Sequence, residues 1–302
     1  MSGIDRGDAS GRGRMAPMNY AEQALTFECR GEELVGVLAR PAGASRLGVL
    51  IIVGGPQYRV GSHRQFVLLA RALATAGIPV LRFDCRGMGD ASGEMQSFDD
   101  SGPDVAAAIG MFQTQCPEVD RIVLWGLCDA ASAALTYWHA ARDPRVAGMA
   151  LLNPWVRSEA GMAKTYVKHY YGQRLLEREF WVKLFRGEVN VLRAIRTFVG
   201  NLKLAGAAGS QGSTTKAMDF QDRMAEGLRS FQHPVLLILS GRDLTAKEFL
   251  EHTQGNPRWA GLLERADIAR HDLPESDHTF STASWSKEVE TCTLSWLQRS
   301  FA

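Results

Sequence analysis

The sequence predicts an α/β protein with a mainly parallel sheet and helices on both of its faces. Two observations carry that expectation. Apolar runs of strand length recur at 47–53, 79–84, 121–125, 146–152 and 235–239, with the near-continuous hydrophobicity of strands buried on both faces. Stretches with small and apolar residues at helical spacing stand between them, at 64–76, 103–114 and 130–141. Strands alternating with helices build parallel βαβ units.

Taken in order, residues 1–19 mix Gly, Ser, Asp and Arg without an apolar core, which reads as a disordered leader and not as a secretory signal. Residues 25–39 read as a hairpin turning at Arg30-Gly31-Glu32-Glu33. The run 47–53 ends in Gly54-Gly55-Pro56, and the run 79–84 leads into the glycine-rich loop Arg86-Gly87-Met88-Gly89-Asp90-Ala91-Ser92-Gly93. After Asn153-Pro154-Trp155 the alternation stops. Residues 155–232 read as helices interrupted by the flexible stretch 206–215, a departure too long for an ordinary connection. They are assigned to a helical cap inserted in a core formed by 20–154 and 233–302. The cap is rich in aromatics, with Trp155, Tyr166, Tyr170, Tyr171, Phe180, Trp181 and Phe185; these pack helix on helix, and some line an apolar substrate channel as lids do. The pattern resumes at 235–239, followed by Ser240-Gly241-Arg242-Asp243. A short strand near 270–273 precedes Pro274-Glu275-Ser276-Asp277-His278, and an amphipathic helix runs from about 284 to 297.

A chain of 302 residues, 45% apolar and 22% charged, sustains one large domain with an insertion. Its net charge of +1 gives no electrostatic case for nucleic acid or an anionic membrane surface, which leaves a small-molecule partner. No stretch approaches the roughly 20 apolar residues of a membrane span. Five cysteines, Cys29, Cys85, Cys116, Cys128 and Cys292, are odd in number and lack metal-type spacing, so neither a disulfide framework nor a zinc site is expected. That usage suits the reducing cytoplasm. Gly87-Met88-Gly89 is too short for a dinucleotide fingerprint, and no phosphate-binding loop ending in Lys-Ser/Thr occurs. No cofactor and no metal are expected.

The chemistry centres on Cys128. In Arg121-Ile122-Val123-Leu124-Trp125-Gly126-Leu127-Cys128-Asp129-Ala130 a strand stops at Gly126, a nucleophile follows two places later, and small residues continue at helical spacing. This is a nucleophile elbow carrying sulfur, whose tight strand-to-helix turn needs small neighbours to let the chain pass. The following helix aims its positive end at the sulfur and favours a thiolate. A nucleophilic thiol wants a base and an acid to hold that base. Cys128, Asp243 and His278 follow in that order, the latter two just past predicted strand ends, where a parallel sheet presents its site. His278 is preferred over His233, His252 and His271 because it lies between the last strand and the last helix. Asp277 competes with Asp243 and is read as a loop cap. Ser132, one helical turn beyond Cys128, is read as packing.

On these motifs the chain resembles an α/β-hydrolase of the capped type, related to serine aminopeptidases and monoglyceride lipases, over nearly all of 25–297. More narrowly, Gly54-Gly55-Pro56-Gln57-Tyr58-Arg59-Val60-Gly61-Ser62-His63-Arg64-Gln65, Phe83-Asp84-Cys85-Arg86-Gly87-Met88-Gly89-Asp90 and Gly126-Leu127-Cys128-Asp129-Ala130 resemble the exosortase A system-associated hydrolases, type 1. The resemblance implies an eight-stranded sheet, and an ester- or thioester-cleaving enzyme linked to exopolysaccharide metabolism. A catalytically weak accessory protein binding an acylated or lipid-linked carbohydrate, and an acyltransferase, are the alternatives it leaves. Asp84, Arg86, Gly87 and Gly89 match a superfamily loop read as structural.

The chain departs from that pattern in having Cys128 for serine, as dienelactone hydrolases do, and Ala130 for the second elbow glycine. It also has Gly54-Gly55-Pro56-Gln57 where many relatives carry His-Gly and a donor. Proline has no N–H, so Gln57 or Gly55 must supply the first oxyanion donor. Gln57 is favoured, with the backbone N–H of Asp129 as the second. His63 and Arg64 either contact an anionic substrate group or cap the next helix, and Gly55 and Trp155 are further candidates for substrate contact.

Overall fold

The structure is a computed structural model and describes residues 19–55, 57–157 and 218–302. The expected leader up to residue 18 and most of the expected cap, including Tyr166, Tyr170, Tyr171, Phe180, Trp181 and Phe185, lie outside the described residues, as does Pro56. Among the described residues, eight strands form one sheet in the order β1-β2-β4-β3-β5-β6-β7-β8. They are β1 Tyr20–Cys29, β2 Glu32–Pro41, β3 Leu47–Ile52, β4 Val80–Phe83, β5 Arg121–Leu127, β6 Val146–Leu152, β7 Val235–Ser240 and β8 Ile268–Leu273. Only β2 runs against its neighbours, antiparallel to β1 and β4; every other pair is parallel.

The hairpin turns in two residues, not four. Arg30 and Gly31 are both left-handed, at φ 54° and 84°, so the ladder runs on to Cys29 opposite Glu32. Such a turn matches the right-handed twist of the flanking strands.

The buried strands are those the sequence marks as continuously apolar. All six residues of β3 and all six of β7 are buried, whereas β8, at the edge, alternates with exposed positions. Helices α1 Gln65–Thr75 and α6 Ala283–Phe301 pack together on one face of the sheet, and α2 Gly102–Gln115, α3 Asp129–Ala141 and α4 Phe220–Ser230 pack in succession on the other. Trp125 on β5 meets Phe66 of α1 edge-on at 5.6 Å and fills the first interface. On the second, Gly227 of α4 lies so close to α3 that an added Cβ would sit 2.3 Å from the Leu135 carbonyl oxygen.

Helix α5, Leu244–Gly255, has no counterpart in the sequence reading. Its buried residues Thr245, Ala246, Glu248, Phe249 and Thr253 are mostly small or polar, so no apolar period announces it. Among the described residues, no helix is long and apolar enough to cross a membrane, and no cluster of His, Cys, Asp or Glu could hold a metal ion. All five cysteines are free thiols.

Candidate active site

At the C-terminal ends of the parallel strands, the chain turns sharply from β5 into α3 at Cys128. Its backbone sits at φ 64°, ψ −125°, a conformation nearly reserved for glycine that costs on the order of 1–3 kcal/mol and persists only where the surroundings enforce it. They do so here. The Cys128 N–H donates to the Leu152 carbonyl at 2.8 Å, and the Cys128 carbonyl accepts from Ala131 and Trp155 at 3.1 and 3.2 Å. Gly126 is needed because a Cβ there would lie 2.5 Å from the Ala130 backbone carbon.

The structure brings Cys128, Asp243 and His278 together. His278 Nδ1 is 2.9 Å from Asp243 Oδ2, and the Cys128 thiol lies within hydrogen-bonding reach of the imidazole. The bond to Asp243, then the contact with Cys128, push the His278 pKa up to about 10, against the opposing effect of burial. Asp243 is buried and oriented by its second task as the N-cap of α5, where its oxygens accept from the Thr245 and Ala246 N–H groups at 3.0 and 3.2 Å. Capping holds the carboxylate in place independently of its bond to the histidine.

Asp277 is turned away from this line. It accepts from Thr279 N–H, Ser281 N–H and the Ser281 hydroxyl, the loop-capping part expected of it. The other histidines lie elsewhere: His271 reaches Glu288, His252 packs on Trp259 and His233 on Phe231. Ser132 is fully buried and donates to the Trp155 carbonyl at 2.6 Å.

Two positioning residues were not singled out in the sequence. Asn153, buried and left-handed at φ 43°, donates to Ser240 Oγ at 2.9 Å and to the His278 carbonyl at 3.2 Å, while its own oxygen accepts from Ser240 N–H at 2.8 Å. Ser240 in turn donates to the Asp277 carbonyl. The acid loop and the base loop also touch directly: a Cβ on Gly241 would lie 2.1 Å from the Pro274 carbonyl oxygen. The signal was present in Asn153-Pro154, a turn-forming pair at a strand end.

The oxyanion side is arranged differently. The Gln57 N–H donates to the Gly55 carbonyl at 2.8 Å, so that backbone donor is engaged; the Gln57 side-chain oxygen is buried without a partner among the described residues. The Gly55 N–H donates to Asp129 Oδ2 at 2.7 Å. Gly54 makes the approach possible, since a Cβ there would lie 2.0 Å from Asp129 Oδ1. Asp84 holds the loop, accepting from Arg59 N–H at 2.6 Å and pairing with the Arg59 guanidinium. Arg86 is anchored to buried Asp104 at 2.5 Å, and Gly87 and Gly89 take φ 70° and 55°, so this loop is structural. Beside it lies a cavity of about 220 Å³, whose lining includes Gly55, Met88, Met95, Ser97, Phe98 and Asp129.

His63 and Arg64 are exposed, consecutive left-handed residues at φ 54° and 62° immediately before α1; neither side chain caps that helix. His63 lies near enough to Asp277 to lower its pKa, as a minor contribution behind the Ser281 and Thr279 hydrogen bonds. The Trp155 ring lies under the Arg157 guanidinium at 4.7 Å.

A sheet of this order with a nucleophile elbow, an acid after β7 and a histidine after β8 defines an α/β-hydrolase. A family model described as "Serine aminopeptidase, S33" matches residues 47–248, and the chain belongs to that hydrolase family. The match spans Cys128 and Asp243 and ends before His278. Where the family description names a serine enzyme, this chain has Cys128 at the elbow.

Among solved structures, the chain is similar to an esterase of Pyrococcus furiosus, at TM-score 0.61 and 17% identity, covering 96% of this chain and 98% of that one. It is also similar to a Xanthomonas campestris α/β serine hydrolase described as lacking a lid, at TM-score 0.54 and 15% identity over 94% and 96% of the two chains. A third is Est1E of Butyrivibrio proteoclasticus with ferulic acid bound, at TM-score 0.56 and 14% identity over 92% and 99%. At these identities the likeness is one of fold. A search of curated proteins finds no significant sequence relative.

Proposed function

We propose that this hydrolase cleaves a carboxylic ester or thioester through an acyl-enzyme on Cys128. The observation that supports this most is the hydrogen-bonded line from Asp243 through His278 to a thiol held on a strained elbow. Cys128 gives its proton to His278 and attacks the carbonyl carbon; the carbonyl electrons move onto oxygen. Collapse of the tetrahedral adduct expels the alkoxide or thiolate, which takes the proton from His278, and leaves an acyl thioester on Cys128. The neutral imidazole then takes a proton from water, the hydroxide attacks the acyl carbon, and the Cys128 thiolate departs and is reprotonated as the acid is released. Asp243 orients the ring and offsets its charge. The donors we assign to the oxyanion are the Asp129 N–H, the Gln57 side chain and, once it leaves the Asp129 carboxylate, the Gly55 N–H. Gly55, His63, Arg64 and Trp155 are the residues we assign to substrate contact, and a thiol nucleophile suits a reducing compartment such as the cytoplasm.

The three loop motifs that resemble those of the exosortase-associated hydrolases support a setting in exopolysaccharide metabolism, where an acylated or lipid-linked carbohydrate is the molecule bound in the alternative reading. A second reading, a weak hydrolase that binds such a molecule or transfers its acyl group to a sugar hydroxyl, is favoured by one observation: the Gly55 N–H is already bonded to Asp129. The test is stopped-flow hydrolysis of p-nitrophenyl acetate and of acyl thioesters, with mass spectrometry of the acylated peptide. A burst and an adduct on Cys128, absent in Cys128→Ala, are expected. Undiminished turnover in Cys128→Ala overturns the reading, and acylated sugar formed in place of free acid when a sugar is added selects acyl transfer.

A further inference from the structure

The residue after the nucleophile contributes one donor to the oxyanion hole through its backbone, while its side chain usually stays out of the way. Here that side chain is a carboxylate, and it points back across the elbow to the end of β3. The Gly55 N–H binds it at 2.7 Å, and the N–H groups of Ala130 and of Asp129 itself also face it. The absent Cβ of Gly54 leaves the space it occupies. These groups, at the mouth of β3 and the first turn of α3, are where an acyl oxyanion would be received. No cation pairs with Asp129 among the described residues, and His278 is near enough to act on it electrostatically.

We propose that Asp129 is a built-in occupant of the oxyanion hole, so that the resting site is closed and the carboxylate must swing away before acylation proceeds. This rests on the reading of Cys128 as nucleophile. A substrate oxyanion and the Asp129 carboxylate compete for the same N–H groups, and like charges at contact distance repel. Burial raises the Asp129 pKa against the pull of these N–H groups, so the closed arrangement holds its charge at a cost. The adjoining cavity of about 220 Å³, which Asp129 lines together with Ser97 and Gln96, is the space into which the carboxylate turns. Rotation of one side chain thus exchanges a filled anion niche for an open one, and the substrate that opens it is one whose bound acyl group does not fill that cavity.

The test separates steps that need the oxyanion hole from steps that do not. Acylation of Cys128 by p-nitrophenyl acetate passes through an oxyanion; alkylation by iodoacetamide, a displacement at saturated carbon, does not. In Asp129→Ala and Asp129→Asn the acylation rate constant is expected to rise tenfold or more, with alkylation of Cys128 within about twofold of the parent. Acylation that is unchanged or slower, with alkylation preserved, overturns the proposal and leaves Asp129 a staple between β3 and α3. Alkylation without any acyl adduct on Cys128 in any of the three proteins overturns the nucleophile reading as well. Where neither variant folds, the parent protein is crystallised with a trifluoromethyl ketone bound to Cys128. An adduct oxygen on the Gly55 N–H with Asp129 turned into the cavity supports the proposal, and a carboxylate still on Gly55 overturns it.

Discussion

The two halves of the site are built on opposite principles. On the side of β7 and β8, Asp243 and His278 are over-determined: the acid caps a helix, Asn153 and Ser240 tie its loop to that of the base, and Gly241 lies against Pro274. On the side of β3, a donor loop meets a carboxylate with no ion-pair partner and a buried amide oxygen with no hydrogen-bond partner among the described residues, beside a cavity. Order on the first side suits the proton relay proposed for it, which must not lose alignment. On the second, a charge held at a cost beside an open cavity is what the proposed opening of the site needs.

The contrast breaks most completely at the relay. Cys128→Ala or His278→Ala should lower kcat/KM on an activated ester by on the order of 10⁵–10⁶, since members of a triad act as a unit. Asp243→Asn should cost on the order of 10³–10⁴ and also move the alkaline limb of the pH–rate profile downward from about pH 10, because Asp243 is the first cause of the raised His278 pKa. A limb that stays at pH 10 in Asp243→Asn would dissociate the pair.

Asn153→Ala should cost about 1–3 kcal/mol of stability in chemical denaturation, by leaving the Ser240 N–H buried and unpaired. Asn153→Gly, which keeps the left-handed backbone, isolates the amide's share. Both should lower kcat more than they raise KM.

Smaller still, and opposite in sign, is the effect of charge on the other side. A raised carboxyl pKa gives stability that is fully present below the ordinary carboxylate range and is lost as pH rises through the folded value, so Asp129 destabilises the fold at neutral pH. Asp129→Asn should therefore raise the Tm at pH 7 and lose that advantage in acid. For His278 the raised pKa gives stability that is complete below its ordinary value of 6.5 and lost as pH climbs to about 10, so the parent Tm should fall over that interval. The least effect is expected from Arg242→Ala. Its ion pair with Glu275 joins two largely exposed side chains, and such pairs contribute about 0–1 kcal/mol. A large loss there would show that the acid loop depends on its surface.

The sheet was legible in the sequence because parallel strands buried on both faces leave uninterrupted apolar runs, and β3 and β7 are such runs. The elbow and the order of Cys128, Asp243 and His278 were legible because small residues and strand ends mark them. Helix α5 was not, as its inward face carries Thr245, Glu248 and Thr253. Nor were Asn153 and Ser240, whose work is done by hydrogen bonds across 87 positions of chain, or the contact of Asp129 with Gly55, which joins residues 74 positions apart. Periodicity records what a segment buries and is silent on where a polar group finds its partner.

The close seat of Gly241 against the Pro274 carbonyl has a consequence for anyone remodelling this enzyme. It couples the Asp243 loop to the His278 loop, so that a shift in one backbone displaces the other, while Cys128 faces them from a separate turn. Grafting a different nucleophile at 128 asks for a change in one side chain; moving the base asks for two loops to be redrawn at once.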